Sequence, residues 1–209
     1  MDNYDLQVDI ARKIFLSYDQ ELLRQKYSLE ADEDYLYLTY LNTPYRLARA
    51  TGKIEQCQEK AWQECRDYST VMTIYDLLCY HKGDKMPDLS GQWCTVGTFI
   101  VAGITETEGF TRKAAERFNG RLEELKKACP NLGGILQPSM AGADVTCLFW
   151  AAPFFPVLLQ FWDGDEEFAP KFLLLWDRNA NRFMHFETTF YLQGDLLSRL
   201  CSQIEKTSG

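Results

Sequence analysis

The spacing of apolar residues changes along the chain, from helical repeats near the N-terminus to short apolar runs in the second half. Between residues 5 and 26, an apolar or aromatic residue recurs every four positions, at Ile10, Ile14, Tyr18 and Leu22, and Ala11 and Phe15 widen this stripe. This spacing places the four side chains on one side of a helix. It therefore predicts one amphipathic helix over residues 5–26.

The next segment has the pattern of a β-hairpin. Residues 35–40 are rich in Tyr and Leu and favour a strand, and Asn42-Thr43-Pro44 favours a turn. Residues 45–50 then return as the second strand. The next predicted element is a helix that is capped by Ser69 or Thr70 and ends before Gly83. A strand over residues 93–100 and a surface loop over residues 103–109 follow. Residues 110–125 are then predicted to be helical, with a break at Asn119-Gly120 and a second part that ends near Pro130.

The second half is dominated by apolar runs bounded by Pro and Gly, a pattern typical of buried strands. The clearest pair, residues 156–162 and 171–176, flanks an acidic loop that turns at Gly164. Further strands are predicted at residues 134–138 and 145–151, and a last helix at residues 192–205. Because strands cluster rather than alternate with helices, we predict an α+β fold. It would be a single domain over residues 1–209, with a largely antiparallel sheet packed against several helices.

Composition narrows the functional classes. The formal net charge of −8 argues against nucleic-acid binding, which needs Lys and Arg along the phosphates. The longest apolar run, residues 145–162, is interrupted by Pro153 and Pro156, so it does not predict a membrane helix. The N-terminus is acidic and lacks the apolar core of a signal peptide. We therefore expect a cytoplasmic protein without a membrane or nucleic-acid partner.

The 7 cysteines are scattered singly, without a CxxC pair. This arrangement lacks the spacing of zinc-ribbon, thioredoxin-like or ferredoxin sites. It favours small buried side chains in a reducing compartment.

Two separated motifs carry a resemblance to a known family. Residues 156–162 are followed by the sequence DGDEEF at residues 163–168, and Gly91-Gln92-Trp93 forms an earlier Gly-x-Trp. Together they resemble a bacterial family known as domain of unknown function three-seven-eight-six. Its members share this hydrophobic strand, a Trp, the GDEEF loop, a second apolar strand and an Asp. The resemblance covers most of the chain.

The resemblance implies more about context than about chemistry. Family members are frequent in anaerobic bacteria, and some are joined to a cysteine-rich iron–sulfur domain, which implies an accessory part in anaerobic redox or corrinoid metabolism. This chain has no such cysteine-rich domain. It also has Arg182-Phe183 where the family usually shows a His-Tyr pair.

The acidic loop at residues 163–167 offers four carboxylates within five residues. Carboxylates are the ligands that hard cations prefer, but the loop lacks the alternating spacing of a calcium loop. It also fits a solvated hairpin tip whose charges discourage edge pairing. A third arrangement pairs Glu166 or Glu167 with Arg178 or Arg182.

Other candidates come from single residues and from the aromatic content. His81 and His185 have no partner histidine nearby in sequence, so neither predicts a common metal site. Cys94 is a conceivable nucleophile with His81 as its base, although its strand-like context favours burial. An aromatic set fits either a plain core or a pocket for a flat ligand. Its members are Trp93, Phe99, Phe149, Trp150, Phe154, Phe155, Phe161 and Trp162.

The first hypothesis is a cytoplasmic accessory or binding protein that acts through a protein partner or a small ligand. The alternative is an enzyme that uses the acidic loop with a metal, or a cysteine nucleophile. A purely structural subunit is a third possibility. The sequence identifies no cofactor and leaves the oligomeric state open. The candidate ligand- or partner-binding residues are Trp93, Trp162, Asp163, Asp165, Glu166, Glu167 and Arg182.

Overall fold

The computed structural model describes residues 3–99 and 108–207, and within these ranges it contains six α-helices and ten strands. The predicted α+β class is confirmed, with antiparallel pairing throughout. The strands form two sheets rather than the single sheet predicted. The elements in chain order are α1 (Asn3–Ser17), α2 (Gln20–Tyr27), β1 (Glu30–Ala31), β2 (Tyr35–Tyr40), β3 (Thr43–Ala48), β4 (Ile54–Gln58), β5 (Ala61–Glu64), α3 (Tyr68–Cys79), β6 (Trp93–Thr95), α4 (Glu108–Phe118), α5 (Leu122–Asn131), β7 (Ile135–Leu136), β8 (Val145–Ala152), β9 (Phe155–Trp162), β10 (Lys171–Asp177) and α6 (Phe186–Thr207).

The first sheet is a meander of five strands in the order β1-β2-β3-β4-β5. The predicted hairpin is its centre, and it turns at Leu41 and Asn42, whose φ angles are 45° and 58°. Two consecutive residues with positive φ suit the right-handed twist of the strands they connect. The β4–β5 hairpin turns in the same way at Glu59 and Lys60. The sequence analysis missed that hairpin because neither residue is a usual turn former.

The second sheet has the order β6-β10-β9-β8-β7 and contains the longest strands. The apolar runs predicted as a hairpin form β9 and β10, with Lys171 opposite Trp162. β9 lies between β8 and β10 and is buried along almost its whole length, with Phe118 of α4 packed against its Phe161. This explains why its sequence is continuously apolar instead of alternating.

The predicted helix over residues 5–26 is wrong in two respects. It is divided into α1 and α2, because the side chain of Asp19 accepts the backbone N–H groups of Glu21 and Leu22 and so starts a new helix. The predicted apolar stripe is also only partly buried, since Phe15 is fully buried whereas Ile10 is 50% and Leu22 is 49% exposed. Leu23 and Tyr27, which the stripe did not include, are buried as well.

The remaining helices differ from prediction mainly at their ends. α3 is capped by Asp67, whose side chain accepts Thr70 N at 2.7 Å, and not by Ser69 or Thr70. The break at Asn119-Gly120 is confirmed as the division between α4 and α5. The last helix begins earlier than predicted, at Phe186. The predicted strand over residues 93–100 is shorter, because a 3-10 turn replaces it at Val96–Phe99. Most of the loop predicted at residues 103–109 lies outside the described residues.

One hydrophobic cluster joins the two sheets and the helices. The turn of the β2–β3 hairpin contacts the second sheet directly, since Leu41 N donates to Ala151 O at 3.0 Å. α3 and α6 pack against each other beside this junction. None of the helices in the described ranges is long and apolar enough to cross a lipid bilayer.

Candidate functional site

The acidic loop is organised by its own backbone. Asp165 Oδ1 accepts the N–H groups of Phe168 and Glu167 at 2.7 and 2.8 Å, and Asp165 N donates to Phe168 O. These donors stabilise the ionised carboxylate, and they lower the pKa of Asp165 from its ordinary value. The carboxylate most central to the GDEEF motif is therefore already used to fold the loop.

The start of the loop is held against the α4–α5 turn. Asp163 Oδ1 accepts Gly120 N at 2.7 Å, and Gly164 N donates to Asn119 Oδ1 at 2.9 Å. Asp163 N in turn donates to Asp144 Oδ2 at 2.8 Å. Asp163 thus links the hairpin to a helix pair rather than presenting a free ligand.

Glu166 and Glu167 are exposed beside a shallow, open concavity next to Asn119. Among the described residues neither carboxylate forms an ion pair. The alternative pairing with Arg178 or Arg182 does not occur, because these arginines follow the far end of β10 from the loop. Arg182 is exposed near His81, and it contributes, after burial and Lys26, to lowering the pKa of His81.

The two candidate tryptophans lie at opposite ends of one strand. Trp162 pairs with Lys171 at the start of β10, and Trp93 pairs with Asp177 at its end. Six residues of strand correspond to about 20 Å. The structure therefore does not gather the sequence-predicted residues into one site. Whether any of them binds a partner stays a prediction.

The Gly-x-Trp motif belongs to a cluster around Asp177, which is only 3% exposed. Its carboxylate accepts Ser90 N and Ser90 Oγ at 3.0 Å, and Gly91 N and Asn179 N at 2.8 Å. Gly91 has a φ of +67°, which a residue with a side chain adopts only with strain. The motif thus shapes the connection from this loop into β6.

The aromatic set is mostly core. Phe149, Phe155 and Phe161 are fully buried in the second sheet, and Phe154 is 5% exposed. Trp150 by contrast is 40% exposed. The set therefore does not line a common pocket for a flat ligand.

The thiol of Cys94 lacks the surroundings of a nucleophile. Burial raises its pKa above the ordinary value, and its Sγ donates to Trp176 O at 3.6 Å. A catalytic cysteine needs a lowered pKa instead. Among the described residues, no group of three or more His, Cys, Asp or Glu side chains is placed to hold a metal ion.

A cleft of about 500 Å³ lies between α1, α3 and the start of α6. Its lining is mainly apolar, with polar side chains gathered at one end. Ile10 and Ile14, which the helical pattern singled out, line this cleft instead of the core. Pockets of this size and composition are typical of small-molecule sites.

The polar end of the cleft is built on Asp76. Its Oδ1 lies 2.6 Å from His185 Nδ1, and its Oδ2 accepts His185 N at 2.7 Å and Thr188 Oγ1 at 2.6 Å. The carboxylate thereby caps the N-terminus of α6. Because an ionised carboxylate only accepts hydrogen bonds, His185 Nδ1 carries the hydrogen in this contact. The side chain is 62% exposed and packs edge-on against Tyr80, and its Nε2 has no hydrogen-bond partner in the described part of the chain.

The opposite end of the cleft is lined by tyrosines. The Tyr68 hydroxyl donates to Gln7 Oε1, and the Tyr68 ring meets the rings of Tyr4 and Tyr191 edge-on. Burial and the neighbouring Tyr191 hydroxyl raise the pKa of Tyr68 to about 12. The Tyr68 hydroxyl is therefore neutral near pH 7.

The sequence analysis considered His185 alone, because its partner is 109 positions away. The sequence indicated the cleft only through the apolar stripe of α1, and that stripe does not show which element α1 contacts. Asp76 and His185 lie together only because α3 packs against α6.

The two antiparallel sheets, the helices packed on them and the ligand-sized cleft define an α+β protein with one candidate binding site. The chain belongs to the family described as domain of unknown function (DUF3786), whose model matches residues 19–199. This confirms the resemblance found through the GDEEF and Gly-x-Trp motifs. No curated protein and no solved structure matches the chain.

Proposed function

We propose that this protein binds a small molecule in the α1–α3–α6 cleft, with an apolar body between the helices and one polar group at His185. The observation that carries the proposal is the junction of a mainly apolar cavity with the Asp76–His185 pair. Apolar surface supplies affinity in such sites, and a few fixed polar groups supply orientation.

The hydrogen-bonding pattern restricts the ligand. When the His185 ring is neutral and donates Nδ1–H to Asp76, its Nε2 is an acceptor. That form of the ring pairs with a donor on the ligand, such as a hydroxyl or an amide N–H. Asp76 contacts the ring at Nδ1, and its other two hydrogen bonds hold the His185 backbone and Thr188 in place, so the ring is positioned before the ligand arrives.

The accessory role in anaerobic redox or corrinoid and iron–sulfur metabolism remains a prediction. Only the earlier resemblance supports it, and it would operate through a ligand or a protein partner. The cleft is compatible with the small-ligand form of that prediction. A small apolar molecule fits a cavity of about 500 Å³.

The proposal is tested by native mass spectrometry of protein purified without oxygen and without chelators. Ala11→Phe fills the cleft, and Ala61→Phe, on exposed β5, is the matched control. We expect a copurified mass in the wild type and the control but not in Ala11→Phe. An unliganded wild type, or a ligand retained by Ala11→Phe, would refute the proposal.

One observation favours a second candidate, an enzyme with His185 as general base. A carboxylate bound to Nδ1 orients an imidazole and makes Nε2 a better proton acceptor. Hydrolysis of p-nitrophenyl acetate provides a probe, with His185→Gln and Asp76→Asn as variants. Loss of hydrolysis in His185→Gln and a reduced rate in Asp76→Asn would support this candidate. Unchanged hydrolysis in His185→Gln would remove it.

A further inference from the structure

A second, polar cavity of about 380 Å³ lies between the first sheet and the C-terminal half of α6. Its lining includes Tyr45 on β3, Gln56 on β4, and Ser198, Arg199 and Ser202 on α6. The cleft proposed for the small molecule contacts the start of α6, near His185. This cavity lies about 20 Å further along the helix than His185. The two sites are therefore separate.

Arg199 is held rigidly at the wall of this cavity. Its Nη1 donates to Thr43 Oγ1 at 3.0 Å and to Leu41 O at 3.5 Å, and its Nη2 donates to Tyr45 Oη at 2.8 Å. Its guanidinium also lies over the Tyr40 ring, 5.3 Å from the centroid. Because these contacts already restrict the side chain, Arg199 loses little conformational freedom when a ligand binds.

Two donors at this wall have no acceptor among the described residues. Nη2 carries two hydrogens, and only one is donated to Tyr45. The Tyr45 hydroxyl accepts that bond, so its own hydrogen is free. Two adjacent free donors beside a positive charge match the two-oxygen geometry of a carboxylate.

Asp195 does not accept hydrogen bonds from these two donors. Its Oδ1 lies 3.8 Å from Arg199 Nε, and its Oδ2 accepts Thr70 Oγ1 at 2.7 Å. Asp195 therefore offsets part of the guanidinium charge from the protein side. The donors of Nη2 and Tyr45 remain for a group from the cavity side.

We propose that this cavity binds the carboxylate of a small organic acid, with Arg199 Nη2 and the Tyr45 hydroxyl donating to its oxygens. Gln56, Ser198 and Ser202 supply polar surface for the rest of the molecule. The volume of about 380 Å³ limits the acid to a small one.

The test is an NMR titration of the whole chain with acetate, using acetamide as an uncharged probe of the same shape. We expect saturable amide shifts around the cavity with acetate and none with acetamide. Equal responses to the two probes would overturn the proposal. Inorganic phosphate is titrated in parallel, and tighter binding of phosphate than of acetate would overturn the assignment to a carboxylate.

Variants separate binding from folding. Tyr45→Phe removes one donor, and we expect acetate binding to weaken roughly 10-fold. Gln56→Glu keeps Arg199 but adds a competing carboxylate to the lining, so acetate binding should be lost. Asn181→Asp, exposed near the other end of α6, makes the same charge change and should bind acetate normally. Undiminished binding by Gln56→Glu would contradict the proposal.

The result is independent of the proposed function. Ala11→Phe fills the other cleft and should leave acetate binding unchanged. Acetate shifts at the cavity together with an unliganded cleft would therefore support this inference while the proposed function fails.

Discussion

Asp177 and Gly91 lie 86 positions apart in the chain, and the Asp177 carboxylate accepts the Gly91 backbone N–H at 2.8 Å. This contact joins the Gly-x-Trp motif to the Asp that follows the second apolar strand. These two separated parts of the family pattern therefore meet at one buried carboxylate. Their common role in this structure is to fix the loop that leads into β6.

Replacing Asp177 by Ala should destabilise the protein strongly. Four hydrogen bonds to a buried carboxylate are lost, and the backbone donors of Gly91 and Asn179 are left without an acceptor. We expect the free energy of unfolding to fall by about 3 kcal/mol, measured by urea denaturation. Asp88→Ala, an exposed position in the same loop, is the control and should have little effect. Equal stability of the two variants would contradict this structural role.

Substitutions of Asp76 and of His185 should lower the free energy of unfolding by different amounts. Asp76→Ala removes an acceptor from His185 N and Thr188 Oγ1, and it should lower the free energy of unfolding by about 2 kcal/mol. His185→Ala keeps the backbone N–H and removes a ring that is 62% exposed, so it should cost less than about 1 kcal/mol. Thermal and urea denaturation of both variants give the comparison. A loss in His185→Ala as large as in Asp76→Ala would show that the ring, not the cap, carries the stability.

Gly134 is expected to tolerate no side chain. A Cβ at this position would lie 2.6 Å from Cys147 Sγ and 2.8 Å from Cys129 O. We expect Gly134→Ala to lower the free energy of unfolding by about 1–3 kcal/mol, because the buried neighbours cannot move apart freely.

The control for that substitution is Gly97→Ala. A Cβ at Gly97 would have only Thr95 Oγ1 nearby, at 3.8 Å. Its effect should stay within about 0.5 kcal/mol. If both alanine variants unfold at the same urea concentration, the close contact around Gly134 is not what excludes a side chain.

The acidic loop predicts a pH dependence with a definite sign. The N–H groups of Phe168 and Glu167 lower the folded-state pKa of Asp165 below its ordinary value of 3.8. Its contribution to stability is therefore fully present above that ordinary value and is lost as the pH falls through the lower folded value. An NMR titration of the Asp165 carboxyl, with the urea-unfolded chain as reference, measures both values. A folded value equal to or above the unfolded one would refute the loop geometry.

The sequence predicted the second sheet well because its signal is local. β9 and β10 are neighbouring segments joined by one acidic loop, and their apolar runs are bounded by Pro and Gly. The strand pairing they form is between close neighbours in the chain. The hairpin of β2 and β3 was predictable for the same reason.

The candidate site was less predictable. The seven residues selected from the motifs include Trp93 and Trp162, which the structure places at opposite ends of β10. A motif records which residues accompany one another in sequence, and Asp165 shows that such residues can serve the fold of a loop. Shared membership in a motif therefore did not imply a shared position.

The sequence by itself determined the α+β class, the antiparallel strands of the second half and the family. These follow from local apolar patterns and from two short motifs. Only the tertiary structure decided that Ile10 and Ile14 line a cleft, that Asp76 holds His185, and that Arg199 reaches Tyr45 across 154 positions. Helical periodicity shows that a side of a helix is apolar, but the element that packs beside it is selected by contacts between distant segments. Those contacts depend on the packing of the whole chain.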